Sequence, residues 1–246
     1  GEILGKDLRR DRAEIKRRIG YVAQHFGLYL DLTVEENVRF YGDLYEPRAT
    51  RKTLEYRDFL LEKYGLARYR KTIAGNLSGG FKQRLALITA ITHKPELIFL
   101  DEPTAGVDPV TRKEIWDLFY DLAHEGATLF VTTHYMEEAE RCDRLAFIFD
   151  GRVVVEGAPQ EIKKGLAGRE VFTVRGRYDR RVVERARALE GVETVNQFGD
   201  TLRVIARSGL HAEASLAREL GFEAGDIGRA TPSIEDVFVN LTERRR

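Results

Sequence analysis

Cysteine, net charge and long apolar runs are the three things this chain lacks. A single cysteine, Cys142, occurs among 246 residues. It can close no internal disulfide, and no neighbouring His or Cys gives it metal-ligand spacing, which fits a reducing cytosol and excludes a disulfide-built scaffold. Lysine plus arginine number 40 and aspartate plus glutamate 40, so the formal charge is zero. That removes any bulk electrostatic reason to expect nucleic acid or acidic lipid as a partner. Splitting at Pro159 leaves 24 basic against 26 acidic residues before it and 16 against 14 after it, so neither part is a polycation. The longest apolar runs, such as Leu97 to Leu100 and Leu145 to Phe149, fall far short of the ~20 residues of a bilayer span. No charged-then-apolar leader, internal repeat or low-complexity stretch occurs. The first residue is Gly1 rather than methionine, from which a natural N-terminus further upstream is expected.

What is present is globular: 43% apolar and 33% charged residues over a length that suits one large domain, or a medium one with a small companion. Up to residue 158 short apolar runs alternate with amphipathic segments. Strands are predicted over 19–23, 97–100 and 128–132, and helices over 34–45, 50–64 and 110–124, the rhythm of a parallel sheet with helical crossovers. Thr33 with Glu36 is a capping box and carries no functional signal. Strands at 145–149 and 153–156, joined by Asp150 and Gly151, predict a hairpin closing that sheet. Ala158 and Pro159 then mark a boundary, giving an α/β domain over 1–158 and an accessory α+β domain over 159–246. The second part reads strand 171–175, helix 179–189, strands 192–198 and 202–206, helix 211–220 and strand 222–227, the order of a ferredoxin-like split βαβ unit. Ser233 with Asp236 opens a last helix, and Arg244 to Arg246 reads as a solvated end.

The sharpest chemical feature is Leu97-Ile98-Phe99-Leu100-Asp101-Glu102. An apolar run of this length predicts a central parallel strand buried on both faces, with two carboxylates at the C-terminal tip where open α/β sheets place ligands. The first can help hold a divalent cation and the second can polarise a water for attack on a phosphoryl group; a solvated acidic turn is the plainer alternative. Upstream, Ser78, Gly79 and Gly80 open a predicted helix whose first amides lack intrahelical partners, an anion site in principle and an ordinary Ser cap otherwise. His134 follows the strand 128–132 at the same sheet edge, where an imidazole can orient water or simply be structural. Gln24 ends the strand 19–23, and Asp108 is otherwise a turn residue or helix cap before Pro109.

Taken together these segments resemble the nucleotide-binding subunits of ABC transporters. LSGGFKQR at 77–84 is similar to the signature motif, LIFLDEPTAGVDP to the Walker B strand with its catalytic Glu and D-loop, His134 in VTTH to the switch histidine, and Gln24 in GYVAQ to the Q-loop glutamine. All stand in the family's order over about residues 19–157. The small C-terminal part ending near TPSIEDVF makes the resemblance closest to the ABC-2 exporters of the multidrug type. The resemblance implies a P-loop NTPase-like α/β domain that binds ATP with Mg²⁺ and hydrolyses it at the cytoplasmic face of a membrane. Glu102, His134 and Gln24 would be catalytic, and Asp101 and Gln24 would face the metal. Ser78, Gly79, Gly80 and Gln83 would bind the ATP of a second nucleotide-binding domain, with Asp108 at the interface and integral membrane subunits as partners. The segment His25 to Thr33 would press on those subunits.

The same resemblance demands a Walker A loop, G-x-x-x-x-G-K-[ST], and none occurs in these 246 residues. Gly1 to Asp7 has one residue too few between its glycines and Asp where a hydroxyl is required. The chain alone is therefore expected to be inactive, with a gap where the Walker A strand and helix would pack. Two other classes stay open, a soluble ABC ATPase of translation or DNA repair and a non-hydrolysing half-site subunit. The basic arms or long insertions of the former are missing. In the C-terminal part, His211 stands alone, and Arg175, Arg177, Arg180 and Arg181 read as a solvated edge. Cys142 reads as packed within an amphipathic stretch, Met136 to Arg144.

Overall fold

A computed structural model describes residues 1–24, 27–176, 179–209, 212–221 and 224–243. His25, Phe26, Arg177, His211, Phe222 and Arg244 to Arg246 lie outside them. The chain divides into two compact units, 1–134 and 135–246.

Unit one begins with a hairpin, β1 (Glu2–Ile3) and β2 (Lys6–Asp7), turned by Leu4 and Gly5 at φ of 51° and 70°. The segment nearest to a Walker A pattern is thus a tight antiparallel turn. Asp7 Oδ1 accepts the amides of Arg9 and Arg10 there. Helix α1 (Arg12–Arg18) leads into β3 (Ile19–Val22). Then follow α2 (Val34–Tyr45), α3 (Arg51–Lys63), α4 (Gly79–Ile91), β4 (Leu97–Asp101), α5 (Pro109–His124) and β5 (Thr128–Thr132). The capping box of Thr33 and Glu36 forms as expected, and the Thr50 side chain caps α3.

The sheet of this unit is parallel in the order β3-β4-β5, with Tyr21, Phe99 and Phe130 side by side and Asp101 beside Thr132. Only one face of β4 is closed. Ile98 and Leu100 are about 1% exposed, whereas Leu97 and Phe99 are half-buried and their neighbours Tyr21 and Phe130 are exposed. The expected burial of β4 on both faces is corrected: among the described residues no layer over the Tyr21, Phe99 and Phe130 row takes its rings out of water. Helix α4, by contrast, is buried from Leu85 to Ile91, apolar but for Thr89, and this makes it the central helix of the unit.

Unit two begins with a single helical turn, α6 (Met136–Ala139), shorter than the amphipathic stretch expected through Arg144. The hairpin β6 (Leu145–Phe149) and β7 (Arg152–Gly157) forms through Asp150 and Gly151, both at positive φ. Among the described residues it pairs only with itself. Phe147 packs with Ile162, Val171, Ile205 and Ile234, so the hairpin belongs to the second unit's core, and the compact boundary falls after His134 rather than after residue 158.

Beyond α7 (Pro159–Lys163) come β8 (Arg169–Arg175), α8 (Arg180–Ala188), β9 (Val192–Phe198), β10 (Thr201–Arg207), α9 (Ala212–Leu220), β11 (Ile227–Ala230) and α10 (Ile234–Glu243). The sheet is antiparallel in the order β11-β8-β10-β9, the topology of the split βαβ unit expected. The last strand starts later than expected, after a 3₁₀ turn at Ala224–Asp226. Alternation along β8 and β10 builds two cores. Phe172, Val174, Leu202 and Val204 face Ala186 and Leu216, while Val171 and Ile205 face Phe147, Ile234 and Val237.

The TPSIEDVF motif is a structural lock within this unit. Ser233 and Asp236 cap α10 reciprocally, and the buried Asp236 takes a bidentate pair from Arg203, with contacts of 2.5 and 2.6 Å. Cys142 is packed as expected: its Sγ lies 3.7 Å from the Glu138 carbonyl, and burial pushes the thiol up to about 11. Arg175 and Arg181 are exposed, and Arg180 pairs with Glu184.

Candidate functional site

The C-terminal ends of three parallel strands bring together residues far apart in sequence. Gln24 lies just past β3, Asp101 ends β4 with Glu102 directly after it, and His134 lies two residues past β5. Gln24 Nε2 donates to Glu102 Oε2 at 3.0 Å, and His134 Nδ1 stands 3.3 Å from the same oxygen. Glu102 itself turns out of the strand at φ 45°, a left-handed conformation that an L residue adopts only under constraint. The constraint is visible: the Glu102 amide donates to both the backbone carbonyl and the hydroxyl of Thr132, at 3.1 and 3.2 Å. The strand ends by turning a partly exposed carboxylate toward a glutamine and a histidine, the arrangement of a base that can hold and orient a water.

Asp101 lies beside this group. Its Oδ1 accepts the Thr132 hydroxyl at 2.5 Å, and its other oxygen has no protein partner among the described residues. A hard carboxylate oxygen without a protein partner fits Mg²⁺, which usually takes one or two carboxylates and completes its shell with water and substrate phosphates. Among the described residues no three His, Cys, Asp or Glu side chains form a metal cage, so a cation here would depend on the nucleotide. The Gln24 amide nitrogen, rather than its oxygen, is engaged with Glu102.

The signature segment has a different geometry. Ser78 is the N-cap residue of α4 by its backbone, but its side chain caps no amide, and Ser78 and Gly79 are exposed. The first amides and the hydroxyl are therefore open to an anion. The two glycines differ. A β-carbon on Gly79 meets nothing within 4 Å, whereas one on Gly80 would lie 2.5 Å from Thr111 Cγ2, so the second is needed for the approach of α4 to α5. Gln83, expected to contact ATP in trans, is 6% exposed and turned into the packed side of α4 one turn after Gly79. Asp108 is the N-cap of α5. Its Oδ1 accepts the amides of Val110 and Thr111 and its Oδ2 the Thr111 hydroxyl, and these bonds, the hydroxyl's above all, hold its carboxyl below the ordinary aspartate range. The plain reading of Asp108 as a helix cap therefore describes this chain.

Two residues passed over in the sequence matter here. Thr132 touches both acidic residues; it stands inside VTTH, where only the histidine was assigned a role. Asn37, fully buried in α2, exchanges hydrogen bonds with the Tyr29 backbone and donates to the Leu32 and Thr33 carbonyls, fixing the loop that follows Gln24. That loop is zipped to the residues preceding the signature by four backbone bonds, Ala74 to Leu32, Gly75 to Leu30, Val34 to Thr72 and Glu35 to Arg70, each 2.8 to 3.1 Å. The glutamine end and the glycine end of the unit are thereby mechanically joined. The outer surface carries exposed Leu30, Phe40 and Leu44, with a groove of about 400 Å³ lined by Leu32, Glu36, Arg39, Phe40, Asp43 and Leu44. No helix among the described residues is long and apolar enough to cross a membrane.

Comparison with known proteins agrees with this geometry. Residues 1–105 match the family model described as ABC transporter. The chain is 34% identical over 248 residues to the daunorubicin resistance ATP-binding protein DrrA3 of Streptomyces coeruleorubidus, covering 98% of this chain and 77% of that protein. It is 41% identical over 168 residues to the probable multidrug ABC transporter ATP-binding protein YbhF of Escherichia coli, covering 68% of this chain but only 29% of YbhF. A solved ATP-binding subunit of an ABC transporter superposes with a TM-score of 0.59 at 28% identity, over 67% of this chain and 68% of that one. By its strand-end carboxylates, its open signature helix and these relatives, the chain belongs to the ATP-binding subunits of ABC transporters.

Proposed function

We propose that this chain is the ATP-hydrolysing motor of an ABC-type exporter, in which nucleotide-driven pairing of two ATP-binding domains powers transport through separate membrane subunits. The observation that carries this is the convergence of Gln24 and His134 on one oxygen of Glu102. In this reading Glu102 accepts a proton from the attacking water, His134 holds the carboxylate and supports developing charge, and Gln24 orders the water and reports its presence to the loop behind it. Asp101 holds Mg²⁺, which when bound neutralises phosphate charge. Ser78 and Gly79 offer hydroxyl and amide donors to a γ-phosphate held by the opposite domain, with Asp108 beside them at the interface.

The apolar groove on α2 is the surface for a membrane subunit at the cytoplasmic face, because it is exposed, lies beside the loop that follows Gln24 and is tied to the signature segment. The drug-resistance and multidrug names of the relatives support export as the kind of transport. Taken by themselves the 246 residues contain no Walker A cradle, and we expect them to bind ATP weakly and hydrolyse none without a domain that supplies one.

The test is Glu102→Gln in a form of the protein that carries these residues together with a Walker A loop, purified with its membrane subunits. ATP turnover should fall on the order of 10²-fold or more, while ATP-dependent pairing persists. Unchanged turnover would sink the proposal.

A further inference from the structure

We propose that Thr132 is a positioning residue of this site, holding the Asp101 carboxylate and the Glu102 backbone through one hydroxyl. The inference rests on the reading of Asp101 and Glu102 given above. Thr132 ends β5 directly beside Asp101 in the parallel register. Its hydroxyl donates to Asp101 Oδ1 at 2.5 Å and accepts the Glu102 amide at 3.2 Å, while its backbone carbonyl accepts the same amide at 3.1 Å. A single donor and two acceptors on one residue thus define the rotamer of Asp101 and the left-handed backbone of Glu102. With Oδ1 taken, Asp101 presents its other oxygen in a fixed direction, the preorganisation that a weakly held divalent cation requires. The turn at Glu102 aims the next carboxylate back toward Gln24 and His134. Thr132 is exposed, so no core packing explains a hydroxyl at this point. Valine has the same shape and a high strand propensity, and would serve an exposed strand end equally well.

Thr132→Val removes the hydroxyl and keeps the backbone carbonyl; Thr132→Ser keeps both. The experiment uses the same form of the protein, carrying a Walker A loop and purified with its membrane subunits. It reads Mn²⁺ affinity in the presence of ADP, by electron paramagnetic resonance of free Mn²⁺, and the Mg²⁺ concentration for half-maximal ATP turnover. Thr132→Val should weaken Mn²⁺ binding and raise the Mg²⁺ requirement on the order of tenfold, with thermal stability unchanged, and Thr132→Ser should restore both. If Asp101→Asn weakens Mn²⁺ binding but Thr132→Val does not, the positioning role is overturned and the site reading survives. If Asp101→Asn and Glu102→Gln both leave Mn²⁺ binding and turnover intact, the site reading falls and this inference with it.

Discussion

Gly80 faces the methyl group of Thr111 so closely that a β-carbon at position 80 would stand 2.5 Å from it, while one at Gly79 would meet nothing. Adjacent glycines in one motif therefore answer to different forces. Gly80→Ala should destabilise the chain by about 1 to 3 kcal/mol through overpacking, read as a lowered melting temperature. Gly79→Ala should melt like the parent and act only on nucleotide-dependent pairing. Equal loss of stability in both would show that the two positions are not distinct.

Gln24 and His134 contact the same oxygen of Glu102, so they should act as one unit. Gln24→Ala and His134→Ala are each expected to lower turnover of the assembled transporter on the order of 10²-fold. The double variant should fall little further than the worse single one. Fully multiplicative losses in kcat would show that the two side chains act on different steps.

Arg57 is buried between α2 and α3 with its Nη1 2.7 Å from Asp43 Oδ1 and two other guanidinium nitrogens without partners. Asp43→Asn strips a buried cation of its counter-charge, whereas Asp58→Asn breaks a pair with the partly exposed Arg70. Because Asp43 is itself partly solvated, a loss of about 2 kcal/mol is expected for the first, against less than about 1 kcal/mol for the second. Urea denaturation of the two variants measures the difference.

His93 stacks on Tyr45 at 3.6 Å between ring centroids, and its Nε2 lies 2.9 Å from the Ile19 carbonyl. Burial pushes its pKa below 6.5, with the Ile19 contact opposing this in part. The unfolded chain therefore binds the proton more readily, and this residue's contribution to stability is complete above pH 6.5 and declines as pH falls from 6.5 toward the lower folded value. His93→Phe, which keeps the stack, should flatten the stability profile between pH 7.5 and 5. A profile unchanged by the substitution would assign the slope elsewhere. Below about pH 4 a second loss is expected from Asp108, whose folded pKa is depressed: its contribution is present above 3.8 and vanishes as pH falls through the folded value.

Much of this was legible in order along the chain. Thr33 with Glu36 and the Ser233–Asp236 pair announced their helices because capping is a contact between residues three apart. The acidic pair after Leu100 could be placed at a sheet edge because strand and crossover rhythm are local. The burial of Gln83 was not legible because its place in a motif says nothing about which side of α4 is packed, nor was the core that Phe147 joins, because it is chosen through partners as distant as Ile234.

Sequence alone determined the strand and helix succession, the split βαβ order of the second unit and the acidic, glycine and histidine residues that mark the family, since these are properties of neighbours and spacing. Tertiary structure decided that Gln24 and His134 meet on one oxygen, that Thr132 holds the Asp101 carboxylate and the Glu102 amide, that Asp108 caps its own helix and that one face of β4 lies open. Each of these depends on which strands lie side by side and which surfaces a packed layer covers, and those are relations between residues that the order of the chain leaves tens of positions apart.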